Sequence, residues 1–284
     1  MITRFNLIDF FVSSNFYVSL GVSCLTALSM HVYRIENYHL QGFVFFSTLF
    51  LYNFIRLVPG DSTFKSVKSN RHKFIYDHNI YLWALVIFSG LFSIYFVLPI
   101  FRFILWPLII SAVISLAYGL PILRFKSSWN RMREVPGLKI FLIAFVWAIV
   151  TEGFPNLLAN QDWRLLALLE RFLFVVAITI PFDIRDLKFD RNEILTIPQY
   201  FGVKWAKVFG IICLVAAEII LAYRTFIAGE INLIGCLAIY ITYEVSMVLV
   251  YLSKEQMSER YVTLGVEGMS ILMGILFMLS QVIP

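Results

Sequence analysis

The chain has 284 residues, 60% apolar and 14% charged, with a net charge of +5; its mean hydropathy is +0.81. Soluble domains carry about 25% charged and 45–50% apolar residues, a gap that a large buried core does not account for. Together with apolar blocks reaching the roughly 18 residues that a membrane span needs, these figures exclude a soluble enzyme, a secreted disulfide scaffold and a disordered chain.

Nine spans are predicted, at 13–32, 40–58, 80–98, 103–119, 138–155, 165–182, 205–223, 231–252 and 262–283. They make one all-α transmembrane bundle over residues 1–284, because an open sheet edge cannot face lipid. The first block follows Arg4 and Asp9 and is not followed by a small-residue cleavage site, so it reads as a span rather than a removed signal. Pro107 predicts a kink in the fourth span. Cys24, Cys213 and Cys236 sit inside apolar blocks without metal or redox spacing and read as packing residues. The loops 59–79, 120–137 and 183–204 are long and polar, whereas those on the opposite side are short and nearly uncharged. Eighteen of the 23 basic residues flank the N-terminus and the long-loop side; Arg34, Arg102, Arg164 and Arg224 lie on the other, and Arg171 inside a span. That asymmetry predicts a cytoplasmic N-terminus and cytoplasmic long loops. The positive charge therefore speaks for topology and not for a nucleic-acid partner.

The sixth span ends in Asp183, Asp186 and Asp190, spaced i, i+3, i+7. On a continuing helix, three carboxylates stack on one face and need a cation. Mg²⁺ suits such hard oxygen donors; alternatively Arg185, Lys188 and Arg191 balance a solvated helix end. Downstream lies Thr196-Ile197-Pro198, followed by Gly202 and Ala206. Span four ends in Tyr118, with Pro121, Arg124 and Lys126 behind it, and span two ends in Asn53 and Arg56.

Together these segments resemble the UbiA superfamily of intramembrane prenyltransferases. That family pairs N-x-x-x-D-x-x-x-D after span two with D-x-x-D-x-x-x-D after span six. A Y-x-x-P-x-x-R/K-x-K loop follows its span four, and T-x-P…G-x-x-x-A follows the second aspartate motif. The resemblance implies an active site on the cytoplasmic side, and Mg²⁺ ions holding the diphosphate of a polyprenyl donor while a hydrophobic acceptor, aromatic or lipid, is alkylated. By motif position Asp183, Asp186 and Asp190 would be metal ligands, Asn53 the family's asparagine, Arg124 and Lys126 diphosphate contacts, and Tyr118 a pocket residue. The first motif departs from the pattern: Leu57 stands where the first aspartate would fall, and Asp61 takes the second position behind Pro59-Gly60. Either Arg56 replaces a metal as counter-charge to the diphosphate, or the chain binds a lipid diphosphate without transferring it. A secondary transporter is the rival from another class. Its ion relay would use the intramembrane glutamates Glu152, Glu170, Glu218, Glu244 and Glu267, although for these and for Arg171 inter-helix hydrogen bonding is the favoured reading. The four histidines show no ligand spacing.

Overall fold

The structure is a computed structural model that describes residues 7–57, 78–125, 128–160, 163–187 and 196–282. Backbone polar groups in lipid must be satisfied within the segment, and each apolar block is helical. After the short α1 (Leu7–Ser13) come α2 (Phe16–Val32), α3 (Tyr38–Leu57), α4 (Asn79–Val97) and α5 (Phe101–Gly119). A two-stranded hairpin, β1 (Leu123–Phe125) and β2 (Ser128–Asn130), follows. Then come α6 (Leu138–Leu158), α7 (Leu165–Asp186), the short α8 (Ile197–Phe201), α9 (Val203–Phe226) and α10 (Leu233–Leu252). The last helix is α11 (Tyr261–Ser280). Among the described residues, eight helices are long and apolar enough to cross a membrane, and α2 supplies a shorter ninth.

A helix stands at each of the nine predicted spans and the helical class holds, with one small addition and several shifted ends. The hairpin lies in the loop after span four, where no strand was expected. The first span starts later than predicted because the chain breaks at Ser14-Asn15, where Asn15 adopts φ 64°. Asparagine tolerates that left-handed conformation better than most residues. The sixth span, α7, runs a full turn past its predicted end and so carries Asp183 and Asp186. The fourth span, α5, continues as one helix through Pro107.

Most successive helices pack side by side, α4 and α5 excepted, and α11 closes the arrangement against α2. Burial grades the helices by position. Over its apolar window α6 is 61% buried and α7 56%, against 17% for α4, so α6 and α7 form the centre and α4 offers most of its surface outward. Close approach depends on small residues, as expected where lipid gives helices no hydrophobic reason to associate. A Cβ on Gly274 of α11 would lie 2.7–2.8 Å from backbone atoms of Cys24 in α2. The run from Thr196 to Ala206 serves as helix punctuation. Gln199 accepts from the Thr196 backbone N–H, Gly202 turns the chain at φ 84°, and Ala206 packs fully buried.

Candidate active site

The ends of α3, α5 and α7 and the start of α6 meet at one end of the bundle. Asp183 is 3% exposed, and a carboxylate that deep requires a partner. The partner is Lys139, from the first turn of α6, whose Nζ lies 2.7 Å from Asp183 Oδ1 and 3.9 Å from Asp186 Oδ2. Arg185 Nε donates to the other Asp186 oxygen at 2.8 Å. Helical spacing brings Asp183 and Asp186 together as expected. Lys139 was expected only as one of the topology-setting charges. Being 44 residues distant in sequence, it shows its role only once α6 packs on α7.

Beside this cluster, α3, α5 and α6 enclose a cavity of about 200 Å³. Its polar rim is Arg56, Tyr118 and Arg133, and Tyr52 and Trp147 lie further in. The Arg133 guanidinium sits 5.9 Å from the Tyr118 ring centre. Tyr118 lies within coulombic range of Lys139, so the rim and the aspartate cluster are neighbours. Trp147 Nε1 donates to the Tyr52 hydroxyl at 3.2 Å. Past that pair lies a second cavity of about 280 Å³, which shares Leu51, Tyr52, Ser115, Val146 and Trp147 with the first and is almost wholly apolar, reaching Phe43 and Phe154.

The expected site residues divide. Arg56 and Tyr118 reach the cavity rim. Asn53 does not: it is 2% exposed and its side chain is taken up by the helix break. Its Nδ2 donates to Ser14 O at 2.9 Å and Leu49 O at 2.8 Å, and its Oδ1 accepts from Asn15 Nδ2 at 2.9 Å. Arg56 shares that face and donates to Ser13 O at 3.4 Å. Arg124 falls in β1. Asp61, Lys126 and Asp190 lie outside the described residues. Among the described residues, no three His, Cys, Asp or Glu side chains gather as metal ligands. Asp183 and Asp186 nevertheless supply the oxygens Mg²⁺ prefers, and a cationic group, the Lys139 ammonium, already lies against both.

The intramembrane charges serve separate ends of the bundle. Glu267 stands at the site end, interacting electrostatically with Tyr52 and Arg185. At the far end, Arg171 Nη2 lies 3.2 Å from Glu152 Oε2, and Arg224 Nη1 lies 2.7 Å from Glu170 Oε2. Arg224 Nε also reaches Glu230 at 2.8 Å, and Arg164 joins Glu230 at 3.3 Å. Ser29 and Tyr33 donate to Glu152, and Tyr243 donates to Glu170. Arg224, counted by sequence as a loop charge, is thus buried inside the bundle. Glu218 and Glu244 lie elsewhere, near each other on α9 and α10.

No family model and no curated protein matches the sequence. Two solved structures match the fold over nearly its whole length. A UbiA homolog from Archaeoglobus fulgidus bound to GPP and Mg²⁺ aligns with TM-score 0.66 and 12% identity, covering 95% of this chain and 100% of that one. An apo UbiA homolog from Aeropyrum pernix K1 aligns with TM-score 0.68 and 15% identity, covering 94% and 98%. The chain has the UbiA fold. In this UbiA-fold protein the aspartate pair, the basic rim and the apolar cavity all gather on α3, α5, α6 and α7.

Proposed function

We propose that the protein is an intramembrane prenyltransferase. Its polyprenyl diphosphate substrate would set the diphosphate at the Arg56–Tyr118–Arg133 rim and the hydrocarbon in the cavity behind Trp147. The observation that carries this reading is the gradient across two adjoining cavities with shared walls, from two guanidinium groups at the rim of the first to the apolar interior of the second. Guanidinium groups match phosphate oxygens in geometry and keep their charge, while the interior suits an isoprenoid chain.

In the proposed reaction the allylic C–O bond breaks and its electron pair leaves with the diphosphate. A hydrophobic acceptor then adds to the allylic cation and gives up a proton. Arg56, Arg133 and Lys139 stabilise the charge that grows on the departing oxygens, which is electrostatic preorganisation. Mg²⁺ held by Asp183 and Asp186 would neutralise further charge on that group. The ring of Tyr118 and the Tyr52–Trp147 pair line the route between head and tail and keep water from the cation. The transporter reading is weaker, because Glu152 and Glu170 are bound to arginines.

Purified protein in nanodiscs should bind radiolabelled geranyl diphosphate saturably and release inorganic diphosphate when an acceptor is supplied. Saturable binding with no release under any acceptor would favour a protein that holds the lipid diphosphate without transfer. Failure of geranyl and longer prenyl diphosphates to bind at all would sink the proposal.

A further inference from the structure

Lys139 is in an unusual position for a positive charge at a span end. Its ammonium faces inward, against Asp183 at 2.7 Å and Asp186 at 3.9 Å. Asp186 is held on its other oxygen by Arg185 at 2.8 Å. A divalent cation approaching these carboxylates alone must displace a charge-assisted hydrogen bond at a residue with almost no contact with water. It must also leave an ammonium beside itself, a like-charge contact poorly screened in such a place. The lysine stem is flexible, and Lys139 lies near the cavity rim at Tyr118, where a diphosphate would present several anionic oxygens.

We propose that Lys139 is an interlock: its ammonium closes the Asp183–Asp186 pair to free divalent cations and yields it only when a diphosphate at the rim draws that ammonium away. Metal and diphosphate then load together, in a fixed dependence, and the metal does not load first. The release half rests on the prenyl diphosphate reading above. The closed half rests on the salt bridges alone.

The test uses Mn²⁺ as the probe, with the unbound ion counted by electron paramagnetic resonance, on full-length protein in nanodiscs. Wild type should bind Mn²⁺ weakly alone and at least ~10-fold more tightly with geranyl thiolodiphosphate, an analogue that resists ionisation. Lys139→Met should bind Mn²⁺ at least ~10-fold more tightly than wild type without the analogue and gain little when it is added. Lys139→Arg, which keeps the charge, should stay as closed as wild type. If Lys139→Met fails to fold, the comparison of wild type with and without the analogue decides the matter. Equal Mn²⁺ affinity in wild type with and without bound analogue overturns the interlock, as does a folded Lys139→Met that binds Mn²⁺ no better. Should the analogue bind no variant while Lys139→Met still gains Mn²⁺, the closed half stands and the prenyl diphosphate reading falls.

Discussion

Arg56 lines the cavity rim while donating to Ser13 O at 3.4 Å, so its guanidinium is steered by the α1–α2 junction as well as by its own helix. Arg56→Gln should weaken geranyl diphosphate binding by about 1.5 kcal/mol or more, the low end for a hydrogen bond to a charged group, measurable by isothermal titration. Unchanged affinity would make Arg56 a membrane-end charge and nothing more. Asp186→Asn keeps hydrogen-bonding capacity but removes the charge shared by Lys139 and Arg185. It should lower Mg²⁺-supported diphosphate binding at least ~10-fold, equivalent to about 1.4 kcal/mol. If the variant shows wild-type affinity and wild-type Mg²⁺ dependence, the aspartates are only a neutralised helix end. The i, i+3 spacing of Asp183 and Asp186 was enough to read a shared face. Their partner was not readable, because nothing near Lys139 in sequence distinguishes it from any other lysine opening a span.

At the scale of elements, the far half of the bundle is held by charges that sequence alone left open between ion path and structural bonding. Glu152 sits in a π-helical segment, Ile149–Gly153 of α6, whose wider turn carries it among Ser29, Tyr33 and Arg171. Breaking a buried pair leaves an uncompensated charge and costs about 3–5 kcal/mol. Arg224→Met should therefore lower the midpoint of unfolding in detergent sharply, and adding Glu170→Leu should restore a good part of it. Strictly additive losses from the two changes would mean that the salt bridge contributes no coupling. Helix contact gives a second test at Gly274, where the obstacle to a side chain is the Cys24 backbone, which cannot rotate away. Gly274→Ala should destabilise by roughly 1–3 kcal/mol, the range for overpacking, as read by the same unfolding measurement. A neutral result would mean that α2 and α11 part easily.

For the molecule as a whole, all the candidate chemistry described lies at one end of the helices, the end where α3, α5 and α7 finish and α6 begins. The excess of basic residues predicts that this end faces the cytoplasm. A single cysteine placed at Ser127 in an otherwise cysteine-free chain should stay unlabelled by an impermeant maleimide in intact cells and react after lysis. Ready labelling from outside would invert the topology and put the site on the opposite face of the membrane.

The sequence by itself determined where the helices lie, their approximate ends, the end of the bundle where the candidate site residues gather, and the shared face of the aspartate pair. Each of these is written in local composition, in helical periodicity or in the requirement that lipid-exposed backbone satisfy its own hydrogen bonds. Only the tertiary structure decided what those residues meet. It turned Asn53 inward to lock the break at Asn15, and drew Arg224 from an apparent loop into a buried network. It also set Lys139 against Asp183, and opened the cavity between α3, α5 and α6. Such pairings join residues tens of positions apart. They depend on which helix faces pack together, a choice made by small residues, shape and charge across the bundle that no single segment contains.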